Sequence, residues 1–493
     1  MSEPPILAID QGTSGTTCLL VTPGGEVLHR AYREVAIAYP RPGWVEQDAE
    51  QLWQSVVETA REVLTRSDVH PAAIGITNQR ETVVTFDRTT LEPVAPAIVW
   101  QCRRSTELCA SHREAGDEAV VRELTGLLLD PYFSGTKLEM LLGEQPDLKR
   151  RGRDGELAAG TIDAWLTARL TGGRVFATDA SNASRTLLFN IHTGEWDDEL
   201  CSLFSVPRAM LPDVVDSAGR IAVTDPDSFL GLAIPVCGIA GDQQAALFGQ
   251  ACVARGMSKN TYGTGSFVLA NVGETAPQLA HGLLSTVAWR IAGRLTYALE
   301  GSIFVTGAGL KWLRDQLGLI TRVDEAGPLF DSVPDSNGCF FIPALAGLGA
   351  PFWDPDARGA LVGLTAGVNR AHVVRAVVEA MAYRTRDVVE AMEAAGGIRF
   401  AELRVDGGAS VMDGLCQFQS DLLGLPVARA ATAETTAAGA AMLAAIGVGM
   451  RSGVDEVAAG WRPGRRFEPE SPGTRTEASY RDWLEAVGRV RTR

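Results

Sequence analysis

Apolar residues recur along the chain in two rhythms. Short unbroken apolar runs at residues 6–9, 73–77 and 234–239 read as buried strands. The first ends at Asp10, is followed by a polar turn from Gln11 to Thr17, and resumes over 18–21; Pro23, Gly24 and Gly25 then turn the chain into a strand over 26–30. A β-hairpin therefore follows this glycine-rich turn. Dinucleotide-binding folds and Walker-type loops need a helix at that point, and their consensus strings are missing here. Helical periodicity first appears over 49–64, where Leu52, Val56, Val57, Ala60 and Val63 share a face. It returns over 370–394 with Val374, Val377, Val378, Met381, Val388 and Met392. Residues 435–447 combine alanine, glycine and long apolar runs, which predicts a buried helix packed tightly on a neighbour. A strand over 403–405 runs into Asp406, Gly407 and Gly408, with a helix over 415–422 behind it. The tail from Trp461 is charged and proline-rich, with a short helix expected near 480–487.

A second hairpin is expected over 260–271, around Tyr262, Gly263, Thr264 and Gly265. Each half of the chain thus opens with a hairpin around a Gly/Thr-rich turn. This weak repeat divides the chain into two α/β units, 1–247 and 248–493, with sheets mixed because hairpins and helical crossovers both occur. The length of 493 residues exceeds one simple core and suits two domains.

Net charge changes the list of partners. At −15 the surface repels nucleic acid and anionic membranes, and no basic run offsets it, so neither nucleic acid nor a stable membrane association is expected. The start of the chain lacks the layout of a signal peptide, and the eight cysteines form no CxxC pair. Free thiols in the cytoplasm are the expectation. The six histidines, His29, His70, His112, His192, His281 and His372, have no metal-binding spacing, and no GxSxG elbow is present.

Five segments could carry chemistry. In the turn after Asp10, small residues let backbone N–H groups and hydroxyls converge on an anion, while the carboxylate could hold Mg²⁺. Taken alone, the same turn reads better as a plain surface hairpin. The turn at Tyr262 to Ser266 and the strand end at Asp406 to Ser410 have similar composition, and the three together fit an ATP clamp between the halves. Asp242 follows an apolar strand, where a carboxylate can take a proton from a hydroxyl or cap the following helix. Asn78, Gln79, Arg80 and Glu81 offer donors and an acceptor for hydroxyls, or form an incidental surface ion pair. Trp100 and Tyr132 could wall the C–H faces of a polyol, although such aromatics more often pack in cores. Gly135, Thr136 and Lys137 lack the leading glycine of a Walker loop and are set aside.

In order along the chain, these motifs resemble the FGGY family of carbohydrate kinases, whose fold is related to actin and hexokinase. The likeness runs through Asp10 to Thr13, Gly75 to Thr82, Val99 to Arg104, Asp130 to Lys137, Gly160 to Asp163 and Ser181 to Thr186. It continues through Gly238 to Gln244, Tyr262 to Gly265, Glu300 to Ser302, Gly347 to Pro351 and Asp406 to Gly408. The resemblance implies an α/β chain of two actin-like (ribonuclease H-like) domains with mixed sheets and a cleft between them. It implies ATP-dependent phosphorylation of glycerol to sn-glycerol 3-phosphate with Mg²⁺, in a homodimer or homotetramer. A pocket for another small polyol or sugar, such as erythritol or xylulose, is the alternative within the family. Glycerol would be held by Arg80, Glu81, Tyr132, Asp242 and Gln243, with Trp100 and Phe267 against its carbons. Asp242 would be the general base, and Asp10 and Asp242 would hold the metal. Thr13, Ser14, Gly15 and Thr17 would line the first phosphate loop, Thr264 the second, and Gly307, Lys311, Gly408 and Met412 the remaining nucleotide site. Four of these differ from the family's frequent residues: Gly15 stands for serine, Thr17 for arginine, Lys311 for glutamine and Met412 for asparagine. A weaker nucleotide grip is the expected result at Thr17 and Met412. Residues 225–235 lack the glycine–arginine loop for fructose 1,6-bisphosphate, and 470–475 only partly resemble a docking segment for a sugar-transport protein, so neither control is expected. Closure of the halves around ATP is expected, with a hinge near 248–257.

Overall fold

Backbone pairing follows directly from the alternating apolar runs. In the computed structural model, which describes residues 3–67, 69–278, 282–470 and 474–492, β1 (Ile6–Gln11), β2 (Gly15–Val21) and β3 (Val27–Glu34) form an antiparallel meander. His281 and the 471–473 portion of the tail segment lie outside the described residues. Helix α1 (Ala49–Thr65) starts at Asp48, whose carboxylate accepts from the N–H groups of Glu50 and Gln51. Its face of Leu52, Val56, Ala60 and Val63 is buried with Leu7, Ile9 and Ile74 of the sheet. β4 (Ala73–Asn78) then runs parallel to β1. After α2 (Ser134–Glu144), β5 (Ala218–Val223) and β6 (Pro235–Gly241) complete the first sheet, with β6 parallel to β4, and α3 (Asp242–Gly249) follows.

The second half repeats the plan. β7 (Ser258–Tyr262), β8 (Ser266–Gly273) and β10 (Arg294–Ile303) form its antiparallel meander, with β9 (Leu284–Ile291) paired outside β10. Helices α4 (Gly307–Asp315) and α5 (Arg370–Gly396) come next. β11 (Leu403–Asp406) is parallel to β7, α6 (Asp413–Leu423) packs behind it, and β12 (Val427–Ala430) is parallel to β11. α7 (Thr435–Gly447), β13 (Pro463–Phe467) and α8 (Thr474–Gly488) end the chain. One sheet of 13 strands results, in the order β13-β12-β11-β7-β8-β10-β9-β5-β6-β4-β1-β2-β3. The halves meet edge to edge through a single pairing of Ala218 with Ile291. Both sheets are mixed, as the sequence implies. Two details differ from it: α8 begins earlier than expected, and the charged stretch before it is a strand. Only Phe467 of β13 is buried, so an edge strand there leaves no alternating apolar signal.

Two features join the halves more firmly than that pairing. One apolar cluster crosses the junction, with Val83, Phe133 and Leu187 from the first half against Val268, Leu299 and Val388 from the second. Helix α7, from the second half, also lies on the first sheet, where Ala437, Ala441 and Ala444 pack with Ile6, Ala8 and Cys237. The small residues are needed because α7 and α3 touch backbone to backbone. A Cβ on Gly439 would stand 1.9 Å from the Ala245 carbonyl oxygen. Gly439→Ala should therefore lower stability by about 1–3 kcal/mol or more through overpacking. Gly143→Ala, on the open face of α2 where a Cβ meets nothing within 4 Å, should be neutral or gain up to ~1 kcal/mol in helix propensity. Denaturation curves of the two variants check this; equal stability would mean that α7 and α3 are not in backbone contact.

Candidate active site

Strand register gathers the polar residues. Asp10 lies beside Thr77 and Gln11 beside Asn78, while Gly241 lies beside Asn78 from the other side. The carboxyl ends of β1, β4 and β6 therefore coincide, and this is where parallel strands present ligand-binding groups. It brings together the turn after Asp10, the segment from Asn78 to Glu81, and Asp242.

Arg80 is the centre of this cluster. Its Nη1 and Nη2 reach Glu300 Oε2 and Oε1 at 2.5 and 3.2 Å, and its Nε lies 3.1 Å from Asp242 Oδ1. Glu81 accepts from Arg185 Nε at 2.7 Å, and Arg185 Nη2 reaches Glu300 at 3.0 Å. Glu81 has φ 61°, a left-handed conformation unusual for glutamate. Its carbonyl is held by Ser134 Oγ at 2.9 Å and Lys137 Nζ at 3.4 Å. Lys137 thus spends its ammonium on carbonyl oxygens, which fits its dismissal as a phosphate-loop lysine. The aromatic groups line the same place. Trp100 and Tyr132 meet edge to face at 5.5 Å, Trp100 Nε1 donates to Thr13 Oγ1 at 2.8 Å, and the Arg80 guanidinium lies 5.9 Å from the Phe267 ring centre. All three side chains are half-buried.

Burial sets the protonation states. It would raise Glu300, but the Arg185 and Arg80 guanidiniums overcome it and hold that carboxyl down at about 2. Burial also pushes Asp242 upward, against the pull of Arg80, the Gln243 N–H and Lys259. Asp242 Oδ1 accepts from Gln243 N–H at 2.7 Å and faces Arg80, whereas Oδ2 has no partner among the described residues. Asp242 is the first residue of its helix, with Gly241 at the N-cap position and no side-chain cap bond, so it does not cap the helix; one of its oxygens is fixed and the other is open. Burial, then the negative charges of Asp242 and Glu434, raise Asp10 from 3.8 to about 8. Asp10 and Asp242 lie close enough for the charge of one to raise the other, and two such carboxylates are oxygen donors suited to Mg²⁺. Among the described residues no group of three or more acidic, histidine or cysteine side chains gathers, so an ion there would take its other ligands from water or phosphate.

The two glycine-rich turns are built alike. Gly12 N–H donates to Gly15 carbonyl at 2.9 Å in the first, and Gly263 N–H to Gly265 carbonyl at 2.8 Å in the second. Gly307 N–H and Ala308 N–H donate to the carbonyls of Gly263 and Thr264, both at 3.0 Å, which seats the start of α4 on the second turn. Lys311 is exposed on α4 one helical turn beyond Gly307. Gly408 opens a 3₁₀ turn, and Met412 follows it and packs beside Gly327. Among the described residues neither Lys311 nor Met412 makes a hydrogen bond to either turn. Glycine at 15 has a local reason: a Cβ there would stand 2.4 Å from the Arg33 carbonyl oxygen and 2.6 Å from the Tyr32 hydroxyl. Thr17 is buried between Asp10 on one strand and Tyr32 on the other.

Three residues at the site were not singled out as ligands from sequence. Glu300 and Arg185 lie inside segments that carry the family resemblance, which was their only signal. Lys259 precedes the second turn and donates to Gln243 Oε1 at 2.5 Å and Thr261 Oγ1 at 2.9 Å.

Comparison with known proteins assigns the architecture. A model of the N-terminal domain of the FGGY family of carbohydrate kinases matches residues 5–249, and one of its C-terminal domain matches 258–448. Glycerol kinase 2 of Thermotoga maritima is 50% identical over 98% of this chain and 98% of its own. The chain belongs to the FGGY family of carbohydrate kinases. A glycerol kinase of Stenotrophomonas maltophilia is 51% identical over 98% of this chain and 97% of its own. The crystal structure of Plasmodium falciparum glycerol kinase with ADP superposes with a TM-score of 0.93 at 33% identity, covering 99% of this chain and 98% of that one.

The raised Asp10 carboxyl makes a stability prediction for this FGGY chain without ligands. Between its unfolded value of 3.8 and its folded value of about 8, the folded state binds a proton that the unfolded state has lost. Stability should therefore fall as pH rises through that window. Asp10→Asn removes the term, so it should raise the melting temperature at pH 8.5 more than at pH 5.5. An equal shift at both pH values in paired thermal melts would contradict the assignment.

Proposed function

We propose that this chain transfers the γ-phosphate of ATP to glycerol, giving sn-glycerol 3-phosphate. The observation that carries the reading is Asp242, fixed through Oδ1 with Oδ2 open, beside an Arg80–Glu81 pair and half-buried aromatic rings. Full-length identity near 50% to glycerol kinases supports the choice of acceptor. A hydroxyl poised at Asp242 Oδ2 loses its proton there as the phosphoryl group arrives. Arg80 and Glu81 offer a donor and an acceptor for further hydroxyls, and Tyr132 a phenol. Because Gln243 Oε1 is taken by Lys259, its amide N–H₂ is left to donate. Trp100 and Phe267 cover carbon-bound hydrogens. Thr13 and Ser14 on the first turn and Thr264 on the second face the phosphates from opposite halves, with Gly307 and Gly408 toward the nucleoside. Asp10 and Asp242 would hold a magnesium ion, which neutralises phosphate charge when bound. Dividing the chain after Leu247 leaves the polyol and base residues mostly in the first half and the nucleotide residues mostly in the second, so transfer requires the halves to approach.

Coupled ADP release over glycerol, erythritol, xylulose and dihydroxyacetone tests the acceptor: glycerol should give the highest kcat/KM, and a higher value for any other acceptor would replace it. Asp242→Asn, which keeps size and fold, should cut turnover by roughly 100-fold or more. Activity within about threefold of wild type would remove Asp242 from the role of base.

A further inference from the structure

Four ionised side chains lie buried together at the junction of the halves: Arg80, Glu81 and Arg185 from the first and Glu300 from β10 of the second. None has more than 2% of its side chain exposed. Their charges cancel in sum, and each bond has a definite use. Glu300 takes both Nη atoms of Arg80, and Gln244 Oε1 accepts a further Nη1 hydrogen at 3.3 Å. With Nε directed at Asp242, Arg80 keeps one Nη2 hydrogen uncommitted. Arg185 Nε occupies Glu81 Oε1, while Glu81 Oε2 has no partner among the described residues. The inner partners thus hold both Nη atoms of Arg80 and one carboxylate oxygen of Glu81, and leave an Nη2 hydrogen and the Glu81 Oε2 oxygen without a partner among the described residues.

We propose that Glu300 and Arg185 are positioning residues for the polyol grip, holding Arg80 and Glu81 so that an uncommitted Nη2 hydrogen and an open carboxylate oxygen face two neighbouring hydroxyls of the substrate. The assignment rests on the reading that Arg80 and Glu81 hold the polyol. Neither Glu300 nor Arg185 touches substrate in this scheme. Glu300 fixes the guanidinium plane in two-point contact, which a single contact would leave free to rotate. Arg185 holds a carboxylate whose backbone is strained at φ 61° and would otherwise relax. Because Glu300 comes from the second half, acceptor affinity is tied to the correct joining of the halves, while Glu300 itself lies on none of the residues assigned to the nucleotide.

The test uses the full chain with Glu300→Gln, Arg185→Lys and the double variant Glu300→Gln/Arg185→Gln, which restores charge balance. Glycerol KM, ATP KM and kcat are measured for each, with thermal melts to establish folding. The expected result for Glu300→Gln is a glycerol KM raised on the order of 10-fold to 100-fold, since displaced binding groups cost that much. ATP KM should stay within about twofold, because uniform binding of one substrate is what is lost. Arg185→Lys keeps the charge but loses the two-point reach, and should give a smaller rise of the same kind. The double variant should be less impaired than the product of the effects of Glu300→Gln and of Arg185→Gln, the latter measured alongside. A purely structural role would lower the yield or melting temperature and leave glycerol KM unmoved in the protein that folds. Unmoved glycerol KM in folded variants, or equal rises for both substrates, overturns the proposal. Failure of all these variants to fold also overturns it, since the cluster would then be a folding element. Wild-type turnover on glycerol and the effect of Arg80→Ala on glycerol KM are read in the same series. A wild type inactive on glycerol refutes the functional reading and this proposal with it, whereas an active wild type with a sensitive Arg80 and insensitive Glu300 and Arg185 refutes the proposal alone.

Discussion

The two-point contact between Arg80 and Glu300 is the constraint on which the site depends. It joins side chains 220 positions apart, from different halves, where both are almost wholly buried. Removing two charges from water is costly, and such a pair adds little net stability compared with apolar groups of the same size. What it supplies is direction: an arginine held by both Nη atoms has one orientation. Arg80 then fixes Asp242 through Nε, and Glu300 also takes up Arg185, which fixes Glu81. The surrounding fold is arranged to allow this. The junction has a shared apolar cluster and a helix of small residues lying against the opposite sheet.

Around that anchor, unequal treatment of carboxylates separates their roles. Glu300 faces two guanidiniums and stays ionised throughout the accessible pH range. Asp242 has one oxygen engaged and one open, which suits a group that must accept a proton and release it. Among the described residues Asp10 has no cationic partner and lies near other acids, so it favours either a proton or a cation. Burial alone would raise all three, and the neighbours make them differ. The two glycine-rich turns are built instead from backbone N–H groups and hydroxyls at hairpins that repeat between the halves.

Local features of this site are legible in the sequence. The hairpins at 10–17 and 260–271, the helix over 435–447 and the placement of Asp242 after an apolar strand all follow from patterns a few residues long. The tight packing of α7 was readable because alanine and glycine leave no other use for a long apolar helix. Arg80 and Glu81 were visible as a polar cluster, but not their partners. Glu300 sits within a strand whose neighbours are apolar, and Arg185 follows a run of small residues. Only three-dimensional proximity shows that each completes the other's charge. The same limit explains Lys259, which acts through Gln243 across the junction. β13 was missed because an exposed edge strand needs only a partner backbone, which leaves no trace in hydrophobicity. Gly15 is explained by the hydroxyl of Tyr32, a contact between strands that no local pattern carries.

The central claim is that the polyol pocket is held in place by the protein's own buried charges before nucleotide arrives. Calorimetric titration of glycerol into nucleotide-free protein tests this most directly. The account predicts saturable binding of one glycerol per chain without ATP or magnesium, abolished by Arg80→Ala. Glycerol binding that appears only after a non-hydrolysable ATP analogue is added would show that the pocket is assembled by closure instead.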